Sequence, residues 1–89
     1  MQERQLEIRN KKGLHARAAA KLINLTHTFD SEVFVVRGDN EVNGKSILGL
    51  LMLAAQKGTW VTIKVDGSDE DEAMEQISHL IESKFEESE

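Results

Sequence analysis

His15 and Arg17 are the two residues whose types and spacing best suit chemistry. They lie in Gly13-Leu14-His15-Ala16-Arg17, where a chain reversal after a strand leads into an alanine-rich helix. The first N–H groups of a helix lack partners inside it and carry partial positive charge, so they can hold an anion. An imidazole is a nucleophile, and a guanidinium is a planar cation suited to phosphate oxygens. The arrangement predicts a histidine that accepts a phosphoryl group and passes it on.

The alternative for His15 is a capping or surface histidine without a chemical role. The combination with Gly13 before it, Arg17 after it and a helix start favours the chemical role. A helix N-terminus disfavours an imidazolium and favours an anionic phosphorylated ring, which suits a phosphoryl acceptor. His27 and His79 have no carboxylate or second histidine four residues later, so both are predicted to be structural. Neither a metal site nor a bound cofactor is predicted.

The composition indicates one small domain. The 89 residues suffice for a single core, and residues 86–89 are predicted to be a frayed tail. The absence of cysteine fits a reducing compartment. No apolar leader is present, and the longest apolar stretch, residues 47–55, is shorter than the ~20 residues that span a bilayer. The expectation is a cytoplasmic protein without membrane insertion.

Charge is distributed unevenly along the chain. Residues 66–89 carry ten acidic and one basic side chain, whereas residues 1–30 carry six basic and three acidic ones. The net charge of −5 argues against nucleic-acid binding, which needs a basic face. A local basic patch around His15 would suit a partner with an acidic docking surface. The candidate residues for this patch are Lys11, Lys12, Arg17, Lys21 and Lys45.

The elements that must position His15 follow from periodicity. Alternating apolar residues predict strands at 5–9, 33–37, 41–43 and 59–66. Helical spacing predicts helices at 16–27 and 46–53, and a last helix capped by Ser68 or Asp69 whose apolar stripe ends at Phe85. The order βαββαβα predicts an α+β fold: an open-faced two-layer sandwich, with a four-stranded antiparallel sheet and three helices on one face.

Ser46 and the helix that follows it permit two interpretations each. Ser46 is either only an N-cap or also a regulatory phosphosite, where phosphate would add about −1.5 to −2 charge. In the run 47–53, the predicted core residues are Leu50 and Leu53. The remaining Ile47, Leu48 and Leu51 are then either exposed, forming a docking patch, or more deeply buried.

Two segments together carry a family resemblance. Gly13-Leu14-His15-Ala16-Arg17 and Lys45-Ser46-Ile47-Leu48-Gly49-Leu50, at this separation, resemble the HPr family of histidine phosphocarriers of the bacterial phosphotransferase system. The resemblance covers essentially the whole chain. It implies that His15 takes phosphate on Nδ1 from phosphorylated Enzyme I and donates it to an Enzyme IIA-type protein. It also implies that Ala16 and Arg17 bind the phosphate, and that the chain is a carrier rather than an independent enzyme.

The resemblance also extends to partners and regulation. It implies that Ser46 is phosphorylated by an HPr kinase/phosphorylase and that the carrier is a monomer. The surface expected to contact partners consists of Ala20, Ile47, Leu48 and Leu51.

One position departs from the family pattern. The family usually has proline after the motif arginine, and this chain has Ala18. Proline would preset φ in the first helical turn, whereas alanine keeps the helix and restores one N–H. Ala18 and the segment Leu50-Leu51-Met52-Leu53 resemble more closely the nitrogen-branch paralogue NPr. This favours a nitrogen-related regulatory branch over general sugar uptake.

Two functions of other classes compete with the phosphocarrier. One is an HPr-like interaction module that is controlled through Ser46 and carries no phosphate. Known relatives that lost the carrier function replace the active histidine, and His15 is intact here. The other is a small ferredoxin-like binding domain, which would leave the pairing of His15 with Arg17 unexplained.

Overall fold

The computed structural model describes residues 1–87 and has the predicted element order βαββαβα. The strands are β1 (Gln2–Glu7), β2 (Glu32–Arg37), β3 (Asn40–Asn43) and β4 (Trp60–Asp66). The helices are α1 (Ala16–Thr26), α2 (Ile47–Met52) and α3 (Glu70–Glu82), and a 3₁₀ turn, Lys84–Glu86, follows α3. No helix within residues 1–87 is long and apolar enough to cross a membrane.

The four strands form one antiparallel sheet in the order β1-β4-β2-β3. β4 and β2 are the two interior strands. β4 pairs with β1, where Leu6 lies opposite Val61, and with β2, where Val35 lies opposite Ile63. Only β2 and β3 are joined by a hairpin turn, around Gly38. The α+β sandwich predicted from the sequence is therefore confirmed.

The core lies between one face of the sheet and the helices. Alternate side chains of β4 are buried on that face, and Ile63 is fully buried. The helices close the core with side chains spaced at helical intervals, which is the apolar stripe predicted for α3. The largest fully buried side chains are Phe85, Ile8, Leu22, Leu50, Ile63, Met74, Ile77, Ile81, Val33, Val35, Val61 and Val65.

Asp69 occupies the N-cap position of α3, but its carboxylate does not cap that helix. It accepts hydrogen bonds from the backbone N–H groups of Asp30 (2.8 Å) and Ser31 (3.0 Å), and from the Ser31 hydroxyl. Of the two predicted cap positions, Asp69 is the N-cap residue, but the expected hydrogen bond from its side chain to the α3 backbone is not formed. The carboxylate instead ties the start of α3 to the loop before β2, because that loop presents three donors to it.

Replacing Asp69 by asparagine should make folding stability less dependent on pH. The Ser31 hydroxyl, then the N–H groups of Asp30 and Ser31, lower the pKa of Asp69 below its ordinary value. A carboxyl group whose pKa is lower in the folded state stabilises the fold above the pKa that it has when unfolded, about 4, and loses this effect as the pH falls through its folded pKa. We expect a lower urea midpoint for Asp69→Asn at pH 7 and a smaller difference at pH 3.

The control for this measurement is Asp39→Asn, an exposed aspartate in the β2–β3 turn. Its urea midpoint should stay close to that of the unchanged protein at both pH values. If the urea midpoints of Asp69→Asn and the unchanged protein differ by the same amount at both pH values, the Asp69 carboxylate does not contribute the expected pH dependence of stability.

The C-terminal segment differs from the frayed tail predicted for residues 86–89. Glu86 belongs to the 3₁₀ turn, and the side chain of Glu87 is hydrogen-bonded to residues of the β1–α1 loop. Residues 88 and 89 lie outside the described part of the chain. This segment packs against the protein because the side chain of Phe85 is fully buried in the core.

Candidate functional site

The loop before α1 places His15 at the helix N-terminus. Gly13 has a φ of +68°, in the left-handed region that favours glycine, and a Cβ there would lie 2.5 Å from the Ala55 carbonyl oxygen. The next residue, Leu14, is buried and donates its N–H to the same carbonyl oxygen at 2.8 Å. The close approach of Gly13 and the hydrogen bond of Leu14 therefore hold this loop against Ala55. His15 follows the loop as the N-cap residue of α1.

The two ring nitrogens of His15 have different surroundings. Nδ1 accepts the backbone N–H of Arg17 at 3.3 Å, and Nε2 lies 2.6 Å from Oε2 of Glu87. A carboxylate only accepts hydrogen bonds, so Nε2 carries a proton and Nδ1 has the lone pair. The side chain is 26% exposed. The geometry therefore presents a nucleophilic Nδ1 at the positive end of the α1 dipole.

Cationic side chains surround His15 as the sequence predicts, with one exception. A depression beside the ring is lined by four cationic side chains and two carboxylates: Lys11, Lys12, Arg17, Lys21, Glu86 and Glu87. Lys45, the fifth candidate, lies elsewhere: its Nζ donates to the Phe29 carbonyl oxygen at 2.9 Å. The basic patch is therefore smaller than predicted, and its residues come from α1 and the preceding loop.

Ala16 and Arg17 form the first turn of α1, and both are exposed. Their backbone N–H groups have no acceptor within the helix, because the intrahelical ladder starts with the Ala19 N–H, which donates to the His15 carbonyl oxygen at 2.8 Å. Of the two predicted phosphate-binding residues, Arg17 lies with its N–H 3.3 Å from Nδ1, and Ala16 directly follows His15 in the chain. Ala20, one turn further along α1, is half-buried.

Glu87 is a site residue that the sequence analysis missed. Its side chain is only 17% exposed, and its Oε1 accepts a hydrogen bond from Nδ2 of Asn10 at 3.0 Å. Burial alone would raise the pKa of Glu87, but the hydrogen bonds from His15 and Asn10 and the charges of His15 and Lys21 outweigh burial and lower it. The carboxylate is therefore ionised at neutral pH. The only signal in the sequence was Phe85, whose apolar side chain continues the α3 stripe and indicates that the chain remains near the core.

Ser46 occupies the N-cap of α2, and its Oγ accepts the Gly49 N–H at 3.1 Å. The capping interpretation is thereby confirmed, and the side chain remains partly exposed. The apolar run divides as the first interpretation predicts, with Leu50 and Leu53 buried. The α2 patch is our name for the exposed apolar side chains of this helix: Ile47 (46%), Leu48 (67%), Leu51 (39%) and Met52 (74%). Met52 was not among the predicted docking residues.

The other two histidines lie apart from this site. His27 is the C-cap residue of α1, and its Nε2 lies 3.1 Å from the Lys45 carbonyl oxygen. His79 is exposed in the last turn of α3. His15 is thus the histidine that combines a helix N-terminus with cationic neighbours.

Comparison with known proteins gives a consistent result at the level of family and fold. The family model described as the PTS HPr component phosphorylation site matches residues 2–83. Phosphocarrier protein HPr of Neisseria meningitidis serogroup A is 51% identical over 89 residues, which is 100% of both chains. Phosphocarrier protein NPr of Shewanella violacea is 46% identical over 85 residues, which cover 96% of this chain and 93% of the relative.

A solved structure agrees as well. The crystal structure of HPr-C-His from Thermoanaerobacter tengcongensis superposes with a TM-score of 0.96 at 42% identity, covering 100% of both chains. The match includes the whole sandwich described above.

Proposed function

Because this chain belongs to the HPr family of phosphocarrier proteins of the phosphotransferase system, we propose that His15 is its phosphoryl acceptor. In this proposal Nδ1 takes the phosphoryl group from phosphorylated Enzyme I and passes it to a histidine of an Enzyme IIA-type protein. The chain then acts as a carrier that forms a phosphohistidine and not as an independent enzyme.

The observation that carries this proposal is the asymmetry of the His15 ring. Nε2 is paired with the Glu87 carboxylate, whereas Nδ1 keeps its lone pair and lies at the α1 N-terminus. A lone pair that is oriented before the partner arrives reduces the entropic part of the barrier to transfer. The same helix end favours the anionic product.

Ala16 and Arg17 are proposed to hold the phosphoryl oxygens. The Ala16 N–H has no acceptor within α1, and the Arg17 N–H, which donates to Nδ1, is released to a phosphoryl oxygen once Nδ1 is phosphorylated. The exposed Arg17 guanidinium supplies a permanent planar cation. Transfer between two docked histidines leaves positioning and charge compensation as the main tasks of the protein.

The proposed acceptor is tested with a variant that contains His15 as its sole histidine. His27→Ala combined with His79→Ala removes the other two histidines of the chain. Incubated with phosphoenolpyruvate and Enzyme I, this variant should take up one phosphoryl group that is acid-labile and base-stable. It should then transfer that group to an Enzyme IIA-type acceptor. Absence of label, or a label that survives acid, would reject the proposal.

Arg17→Ala should slow phosphoryl transfer about 100-fold, because a donor to the developing charge on the phosphoryl oxygens is lost. Single-turnover transfer from phosphorylated Enzyme I measures this rate. The transfer rate of Arg17→Lys should lie between those of the unchanged protein and Arg17→Ala, since lysine keeps the charge but lacks the planar guanidinium group. Arg9→Ala, which removes an exposed arginine after β1, is the matched control and should change the rate less than twofold. Equal rates for Arg17→Ala and Arg9→Ala would refute this role.

The partner surface is proposed to include Ala20 of α1 and Ile47, Leu48 and Leu51 of the α2 patch. The exposure of the three α2 side chains supports this, since exposed apolar clusters mark sites of protein association. α1 packs against α2, which makes a surface shared by the two helices possible. The basic depression at His15 favours acidic docking surfaces on Enzyme I and on the acceptor. We propose that the carrier acts as a monomer.

We further propose that the chain serves a nitrogen-related regulatory branch. Ala18 and the segment 50–53 support this branch. General sugar uptake is the alternative, and relatives named HPr, such as the Neisseria protein at 51% identity, support it. Offering the phosphorylated chain nitrogen-type and sugar-type Enzyme IIA acceptors in competition separates the two.

Ser46 is proposed as a regulatory phosphosite. Its partly exposed hydroxyl begins the helix that carries the α2 patch, so phosphate there would place negative charge next to the proposed docking surface. Incubation with an HPr kinase/phosphorylase should give an acid-stable phosphate that Ser46→Ala lacks. An acid-stable modification of a chain that never carries acid-labile phosphate would favour the rival function, an interaction module controlled through Ser46.

A further inference from the structure

The proposed acceptor histidine, His15, is paired through its Nε2 with the carboxylate of Glu87, a residue of the C-terminal segment. Oε2 of Glu87 lies 2.6 Å from Nε2 of His15, on the side of the ring opposite Nδ1. The second carboxylate oxygen, Oε1, is occupied by Nδ2 of Asn10 at 3.0 Å. With both oxygens bonded, the carboxylate has little freedom to rotate.

Asn10 links this carboxylate to the loop before α1. It is fully buried, and its Nδ2 also donates to the Gly13 carbonyl oxygen at 2.7 Å. Within the described residues its Oδ1 is buried without a hydrogen-bond partner. A buried acceptor without a partner lowers folding stability by about 1–3 kcal/mol. The stabilising contribution of Asn10 therefore comes from the two hydrogen bonds that its Nδ2 donates. It connects the His15 loop and the C-terminal segment.

The backbone that delivers Glu87 is itself unusual. Lys84, Phe85 and Glu86 all have positive φ angles, of 60°, 55° and 62°, which L-residues adopt at a cost of about 1–2 kcal/mol each. Two contacts retain this conformation: the Phe85 side chain is fully buried, and its carbonyl oxygen accepts Nζ of Lys21 at 2.7 Å. A left-handed turn anchored in this way returns the chain to the His15 ring.

We propose that Glu87 is a positioning residue for phosphoryl transfer, an inference that rests on the function proposed above. It keeps His15 in the tautomer with a proton on Nε2, and it faces the positive charge that the ring acquires when Nδ1 is phosphorylated. Carboxylate–imidazole pairs in other proteins orient and stabilise a histidine in the same manner.

The transfer step balances without moving a proton. The Nδ1 lone pair forms the bond to phosphorus, while the bond between phosphorus and the donor imidazole nitrogen breaks and its electron pair stays on that nitrogen. The proton on Nε2 remains there, so the phosphorylated ring is cationic and paired with the Glu87 carboxylate. In the onward step the P–N bond breaks, and His15 leaves as a neutral imidazole. A held Nε2 proton thus keeps the phosphohistidine reactive.

Glu87→Gln keeps the shape and one acceptor oxygen but removes the charge. We expect this variant to be phosphorylated roughly tenfold more slowly, the change expected for losing one charge-assisted hydrogen bond at a partly exposed site. Its phosphohistidine should also survive roughly tenfold longer at pH 8, because fewer rings keep the Nε2 proton. Glu82→Gln is the matched control: it removes an exposed carboxylate at the end of α3, outside the depression beside His15, and should change both measurements less than twofold.

Equal rates and lifetimes for Glu87→Gln and Glu82→Gln would overturn the proposal. A purely structural contribution of Glu87 would lower the thermal midpoint and leave the phosphohistidine lifetime unchanged, which also rejects a positioning role. Glu87→Asp keeps the charge on a shorter side chain and should recover part of the lifetime effect.

A second measurement separates this inference from the proposed function. In ¹⁵N NMR spectra of the protein without phosphate, the His15 proton should reside on Nε2 and exchange slowly with water. The Glu82→Gln variant should show the same slow exchange, and exchange should become fast in Glu87→Ala. If the chain accepts no phosphate but gives this pattern, the acceptor function fails and the contact stands. A proton on Nδ1, or fast exchange in the unchanged protein, rejects Glu87 as a positioning residue even where phosphorylation succeeds.

Discussion

His15→Ala should accept no phosphoryl group above background from Enzyme I and phosphoenolpyruvate. The substitution removes the nitrogen that we propose as the acceptor, and the other two histidines have different surroundings. His27 ends α1, where the helix dipole is negative, and His79 is in the last turn of α3. Loss should therefore be complete, and radiolabel incorporation measures it directly.

The folded state of His15→Ala should remain intact, which makes the loss interpretable. The side chain contributes an N-cap contact of 3.3 Å to the Arg17 N–H, and replacing a capping side chain by alanine costs about 0.5–2 kcal/mol. A cooperative urea transition and unchanged far-ultraviolet circular dichroism would verify folding. His79→Ala, exposed in α3, is the matched control and should incorporate label normally. Acid-labile label on folded His15→Ala would place the acceptor elsewhere.

Phe85→Ala should destabilise the protein by about 3–5 kcal/mol, the usual cost of truncating a buried phenylalanine. The ring is fully buried, and three positive φ angles around it depend on that burial. A domain with about 5–15 kcal/mol of total stability loses a large part of it by this single change. Urea denaturation, analysed at constant m-value, measures the difference.

Two further variants keep this prediction testable if Phe85→Ala does not fold. Phe85→Leu retains most of the apolar volume and should cost less than half as much as the alanine variant. Leu48→Ala truncates a side chain that is 67% exposed and should change stability by less than about 0.5 kcal/mol. A small effect of Phe85→Leu together with a folded and equally stable Phe85→Ala would show that the tail is not anchored by this ring.

Local patterns predicted most of this structure because each depends on neighbouring residues. The alternation in β4, the cap at Ser46 and the division of α2 into buried and exposed side chains all follow from periods of two or 3.6 residues. The placement of His15 at a helix start follows from Gly13 in the loop before it and the alanines that follow it.

The contacts that the sequence did not predict join distant segments. His15 and Glu87 are separated by 72 positions, and Asp69 bonds to residues 38 and 39 positions away. Neither contact produces a periodic pattern, since each depends on how β1-β4-β2-β3 brings loops together. The acidic tail resembles a solvated end by composition, but the burial of Phe85 and the bond from Lys21 to the Phe85 carbonyl oxygen bring Glu87 to His15.

The return of the tail to His15 has a consequence for how the protein is handled. An exopeptidase that trims the chain past Glu87 removes the carboxylate that pairs with Nε2 of His15, although every residue of the Gly13–Arg17 motif survives. Activities measured on clipped preparations would then differ for a reason that inspection of the Gly13–Arg17 segment does not reveal.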